Sequence, residues 1–310
     1  MPRDAIADAP GALHRGWALV KESVSAWSRD YAPSMGAALS YYSVFSLAPL
    51  LFIVISVAGL LFGDEAARGE VFGQLRGLMG DEAAAAVEAM LAGLRTPERG
   101  ATSAAVGLAL LFIGATTVFG ELQDALDRIW HVPPQVRASG LWGLLRTRLL
   151  SFGMVLGIAF LLMVSLVLSA GISALGKWWA GAFGSWELLL QAVNALLGYA
   201  MTTVVFALIY KVIPRVPVAW RDVWTGAAVT ALLFTIGRTL IGLYIGKSGI
   251  ASGFGAAGSV AIIFVWVYYS AQIFLLGAEF THAYARRCGS KQHEPAPAQD
   301  DIPWRPARAG

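Results

Sequence analysis

Six stretches of this chain are long and apolar enough to cross a bilayer, at about Ser34–Phe62, Ala101–Phe119, Leu149–Leu175, Leu188–Tyr210, Val223–Ile245 and Ala256–His282. A spanning helix needs about 20 such residues, and in hydrocarbon its backbone polar groups must all be satisfied internally. That constraint selects the fold class: an all-α, polytopic membrane bundle of six transmembrane helices. Composition agrees, because only 14% of the 310 residues are charged and mean hydropathy is +0.62. A soluble chain carries about 25% charged residues.

Lysine and arginine set the expected orientation. The N-terminal arm holds Arg3, Arg15, Lys21 and Arg29, and the connection after the second span holds Arg128, Arg137, Arg146 and Arg148. Lys211, Arg215 and Arg221 follow the fourth span, and the tail adds Arg286, Arg287, Lys291, Arg305 and Arg308. The opposite side has only Arg68, Arg76, Arg95, Arg99, Lys177 and Lys247. The positive-inside rule therefore places both termini in the cytoplasm. Trp130, Trp142, Trp178, Trp179, Trp186, Trp220 and Trp224 fall at or just beyond span ends, where an aromatic belt belongs, and Trp266 lies mid-span. Residues 1–33 lack an apolar signal core, so the first span is expected to act as an uncleaved signal. The single cysteine, Cys288, excludes an internal disulfide and is expected as a reduced cytoplasmic thiol.

Three regions follow: an arm over 1–33, a transmembrane domain over 34–287 with an external helical loop at 63–100, and a Pro-, Ala- and Gln-rich tail over 288–310 expected to be disordered. In the arm, Trp17, Val20, Val24 and Trp27 share an amphipathic face that suits either the inner leaflet or packing beneath the bundle. In the loop, "GDEAAAAVEAMLAGLR" starts acidic and ends on arginine, as a helix dipole favours, and reads as a solvated cap. The second span continues as "GELQDALDRIW". Leu122, Ala125, Leu126 and Ile129 form its apolar face, and Glu121, Asp124, Asp127 and Arg128 its polar one. The prolines of "HVPP" stop it.

Polar residues within the spans carry the functional argument. Gly36, Ser40, Ser43 and Ser46 recur at spacings of 4, 3 and 3, which puts them on one stripe of the first span. Pro49 leaves the Phe45 carbonyl without its helical donor. The stripe suits a helix-packing seam, where small residues permit close approach, and it equally suits a polar cavity wall. Tyr41 points away from it, and Val44 lies about 100° round the helix.

In the last span Tyr268, Gln272 and Glu279 lie nearly above one another, with His282 close to the line. A membrane glutamate is a functional candidate, although this one is near the cytoplasmic end, where a salt bridge also serves. Arg238 lies about 22 Å into the fifth span at 1.5 Å per residue. An unpaired arginine at that depth costs at least about 2.5 kcal/mol. Asn194, Tyr268 and Gln272 stand at better depth than Glu279 to accept from it. Its guanidinium suits phosphate or carboxylate, and snorkelling is the alternative. The candidate substrate cavity is thus Ser40, Ser43, Ser46, Asn194, Arg238, Tyr268, Gln272 and Glu279.

No cofactor or metal is expected, because His14, His131, His282 and His293 are not at ligand spacing. The sequence has no HExxH, GxSxG or Walker A pattern. Its basic residues are scattered at span ends, which argues against nucleic acid. An enzyme is not expected.

The blocks "GAALSYYSVFSLAPLL", "ELQDALDRIWHVPP", "IPRVPVAWRDVWTGAAVTALLFTIGRTLIGLYI" and "GAAGSVAIIFVWVYYSAQIFLLGAEF" occur in order. Over about residues 20–287 the chain resembles the YihY/BrkB family of bacterial inner-membrane proteins. The resemblance implies a six-helix inner-membrane protein with a part in envelope lipid movement or integrity. That family has also carried the label ribonuclease BN, for which this sequence supplies no catalytic constellation. Two functions stay open: a transporter or flippase-like protein for an amphiphilic, anionic, lipid-like substrate, and a non-transporting scaffold. Expected partners are membrane lipids, such a substrate, and envelope proteins or a second copy.

Overall fold

The computed structural model describes residues 12–93, 117–133, 186–248 and 257–292. Among these residues the secondary structure is helical throughout: α1 (Ala12–Arg29), α2 (Ala32–Phe62), α3 (Asp64–Met79), α4 (Asp81–Gly93), α5 (117–129), α6 (Trp186–Val212), α7 (Trp220–Ser248) and α8 (Gly258–Arg287). Among the described residues three segments are long and apolar enough to cross a membrane: Ala192–Val212, Trp220–Lys247 and Gly258–Arg287. The 31 residues of α2 reach about 46 Å at 1.5 Å per residue. The expected span at 149–175, most of that at 101–119, and Trp142, Trp178 and Trp179 lie outside the described residues.

At the centre stands α8, packed on α7, α2, α1 and α4. Close approach to α7 depends on small residues. A Cβ at Gly226 would collide with Thr281, and one at Gly277 with Thr230 and the Tyr210 hydroxyl. That hydroxyl donates to the Phe274 carbonyl at 2.8 Å and lies 3.1 Å from the Thr230 hydroxyl, so a buried tyrosine ties α6 to both neighbours.

The two ends of the bundle differ. At one, the arm end, meet α1, the end of α5, the α6–α7 turn and the residues after α8. Arg287 pairs with Glu22 of α1, and Asp222 accepts from Ser290 N at 3.1 Å and Ser290 Oγ at 2.6 Å. The tail expected to be disordered from Cys288 thus begins as a held turn. At the other, the cap end, α3 and α4 fold back over the bundle. Gly63 (φ 87°) and Gly80 (φ 86°) make the two sharp turns, in a backbone region that a Cβ disfavours. The α4 helix carries Asp81 and Glu82 in its first turn, as its sequence predicts, but Ala83, Ala84, Ala86 and Val87 are buried against Ile241, Ile245, Ile262 and Ile263. The cap is therefore docked and not merely solvated.

The structure corrects several local expectations. Trp220 and Trp224 are exposed at the start of α7 in belt fashion, but Trp130 is buried in the core. Asp127, assigned to the polar face of α5, is fully buried and pairs with Arg215 at 2.7 Å. Val44, off the polar stripe, is buried between α2 and the cap, while Ser43 is half-buried. The outward residues are Tyr41 and Phe45. In α1, Leu19 and Ser23 are buried, whereas Trp17, Val20 and Val24 face outward.

Candidate functional site

The arm end carries a buried group of two carboxyls and two imidazoles. It is assembled by two chain turns and one helix. Residues Asp30 and Tyr31 join α1 to α2, and Tyr31 adopts a left-handed conformation (φ 59°, ψ 34°). At the end of α5 the chain turns through His131 (φ 51°), whose N–H donates to the Arg128 carbonyl at 3.1 Å. These are the two non-glycine residues with positive φ among those described, and both flank the site. Such conformations cost free energy, and they gather where surrounding structure holds a particular geometry. The third contribution is α8, which supplies Glu279 and, one turn on, His282.

Asp30 is 7% exposed and Glu279 0%. Their carboxyls face one another, each acting on the other's charge. No donor among the described residues reaches either Glu279 oxygen. Two buried carboxyls that face one another repel strongly if both are ionised. The His131 and His282 ring centroids are 5.2 Å apart, and Trp130 closes the group at 5.1 Å from His282. Burial raises the pKa of Asp30, against the opposing pull of His131, Glu279, Arg29 and Arg128. Burial likewise lowers that of His131; Asp30 opposes this, and Arg286 and Arg29 add to it. Burial thus disfavours charge on the Asp30 carboxyl and on the imidazole beside it.

Two turns along α8 from Glu279, toward the cap end, stands Gln272. Its amide presses on Gly36 of α2 so closely that a Cβ there would overlap it. Both its Nε2 and Oε1 are buried without a hydrogen-bond partner among the described residues. Further along, Ser40 Oγ donates to the Phe264 carbonyl at 3.1 Å, and Ser46 Oγ to that of Ser43 at 3.0 Å. The α2 stripe and the α8 line therefore meet as one polar seam containing Ser40, Gln272 and Glu279.

The remaining cavity candidates stand elsewhere. Tyr268 and Asn194 are exposed, on α8 and α6. Arg238 is exposed on α7, and its Nη1 donates to the Gly77 carbonyl in the last turn of α3. A helix C-terminus attracts a cation, so the arginine has an acceptor that the sequence did not announce. It does not join the seam.

A second polar cluster was also missed. Arg215, in the α6–α7 turn, donates to Asp127 from its backbone N at 3.0 Å and from Nη1 at 2.7 Å, and from Nη2 to Gln123 at 2.9 Å. Gln123 Nε2 donates to the Ile213 carbonyl at 3.0 Å. Every contact closes inside the protein, which marks a clamp holding the turn to α5. Among the described residues no group of three His, Cys, Asp or Glu side chains is placed to hold a metal ion.

The family model described as Virulence factor BrkB matches residues 23–302. A UPF0761 membrane protein of Tolumonas auensis is 30% identical over 262 residues, covering 82% of this chain and 82% of its own length. A UPF0761 membrane protein of Pseudomonas aeruginosa is 31% identical, covering 80% of this chain but 58% of its own, so the chain spans under two thirds of that relative. One from Cronobacter sakazakii is 28% identical over 81% of this chain and 83% of its own length. No solved structure matches. The chain belongs to the BrkB family of membrane proteins.

Proposed function

We propose that this BrkB-family protein is a six-span, non-enzymatic protein of the bacterial inner membrane that moves an amphiphilic, anionic, lipid-like substrate in envelope maintenance. The observation that carries the reading is the polar seam between α2 and α8. A buried amide at Gln272 with neither polar atom paired among the described residues, in line with a wholly buried Glu279, costs stability in an apolar bundle. Ionisable and polar groups inside membrane bundles mark substrate or proton pathways by default. A headgroup passing along the seam would meet those unpaired atoms. Arg238 supports the anionic character. It commits one contact to Gly77, and a guanidinium has five N–H donors in a fork suited to phosphate.

The test is the purified full chain in liposomes holding a fluorescent anionic phospholipid, with an impermeant quencher outside. Movement should exceed that of empty vesicles, and Gln272→Ala should slow it. Arg238→Lys and Arg238→Gln should both express well and both be impaired, glutamine more so, since lysine keeps the charge and loses only the fork. Quenching equal to that of empty vesicles would refute transport of this lipid class.

The alternative is a non-transporting scaffold. Ser40 and Ser46 favour it, because both hydroxyls are satisfied by backbone carbonyls, as packing residues are.

A further inference from the structure

The seam ends, at the arm end, in the carboxyl pair, and transport alone does not require one. We propose that the Asp30–Glu279 pair is a proton-binding site, exchanging with the arm-end solution through His131, and that its proton drives substrate movement along the seam. The second statement rests on the transport reading; the first does not.

The geometry supports this in three ways. A facing pair of buried carboxyls binds one proton strongly, because losing it puts two negative charges side by side. The pair also joins separate elements. Asp30 ends α1 and immediately precedes α2, while Glu279 lies on α8, so its protonation controls a contact between helices and not a local turn. Ionisation would push the start of α2 from α8, and that is the seam itself, where Gly36 and Gln272 touch. Finally, His131 is half-buried at the end of α5 and acts on the charge of Asp30, so it touches on both the pair and the solvent.

The step is a simple transfer. The proton shared by an Asp30 oxygen and a Glu279 oxygen passes to the His131 imidazole, which becomes a cation and then releases it to water. The surrounding charges suit a transient dianion. Arg29 on α1 and Arg128 on α5 both face Asp30. From α8 and beyond, Arg286 faces both imidazoles, and Lys291 faces His282. His282 lies behind His131 and adds no negative charge. These four side chains are not among any group placed to hold a metal ion in the described residues.

Infrared difference spectroscopy of the full chain in nanodiscs, recorded as pH is stepped, tests the site directly. A protonated-carboxyl C=O band should be present near neutral pH and vanish as pH rises. Glu279→Gln and Asp30→Asn should each remove it, so that one variant suffices if the other misfolds. His131→Gln should keep the band but slow its decay after a pH jump. In the liposome assay, an imposed pH gradient should change lipid movement severalfold, with a sign that reverses with the gradient. No titrating band, or a band intact in both carboxyl variants, overturns the proton site. Movement that ignores the gradient overturns the coupling and leaves transport standing. Absent movement with an intact titrating band refutes transport and leaves the proton site.

Discussion

Asp30 and Glu279 are 249 positions apart, and burying both carboxyls side by side as anions is costly. The consequences for pH can be signed. Burial raises Asp30 above its ordinary 3.8, so its contribution to stability is full below that value and is lost as pH rises through the raised one. Burial lowers His131 below its ordinary 6.5, so its contribution is present above 6.5 and is lost as pH falls toward the lowered value. The thermal midpoint of the purified protein should therefore fall on both sides. Asp30→Asn should abolish the decline on the alkaline side and His131→Gln that on the acid side. A profile unchanged by either substitution would mean that neither group titrates in the docked state. Glu279 was legible in the sequence, because a carboxylate within an apolar span is conspicuous. Asp30 was not, since an acid in a polar arm looks solvated until the fold tucks it beneath α8. His131 was concealed by its neighbours: in "HVPP" the prolines account for the turn, and nothing reveals a left-handed imidazole facing the carboxyl pair.

At the scale of elements, the sequence predicted helices by length and periodicity, and these are where the structure agrees. α4 begins on its acidic pair and α5 buries Ala125, Leu126 and Ile129. Periodicity failed where a polar residue on an apolar-adjacent face finds a distant partner. Asp127 is the example, because only the return of the chain at Arg215 reveals why it is buried. Asp127→Asn should destabilise the protein by on the order of 3 kcal/mol, as breaking a buried pair by neutralising one partner does. Denaturation of the variant measures it, and a loss under about 0.5 kcal/mol would show that Asp124, 3.7 Å from Arg215, takes over. The α2 stripe needs a different comparison from the one its sequence suggests. Val44 is packed, so the outward control is Phe45, 61% exposed. Ser40→Leu would force a larger side chain against Phe264 and strand its place in the seam, costing about 1–3 kcal/mol. Phe45→Leu should be tolerated. Equal folded yields for the two would mean that α2 does not press on α8 along this stripe.

For the whole molecule, the basic segments of the sequence are separate in the chain but meet in space. Arg287 reaches Glu22, Arg215 reaches Asp127, and the Lys291 ammonium stands 5.9 Å over the Trp130 ring. All belong to the arm end, whereas α3 and α4 cover the cap end through Phe72, Met79, Ala83 and Val87. These contacts gather Arg215, Arg287 and Lys291 at one end of the bundle, and α3 and α4 at the other. The positive-inside rule predicts a cytoplasmic arm end. The chain carries its own probe for this, since its one cysteine, Cys288, is exposed at the arm end where α8 stops. In intact cells an impermeant thiol reagent should leave Cys288 unlabelled, and lysis should expose it. In a Cys288→Ser background, Ala89→Cys, on an exposed position of α4, should label without lysis. Labelling of both from outside would place the two ends on one side of the bilayer and exclude a bundle crossed by α2 and α8. Labelling of Cys288 alone would invert the protein, and the proton proposed at Asp30 and Glu279 would then exchange with the opposite compartment.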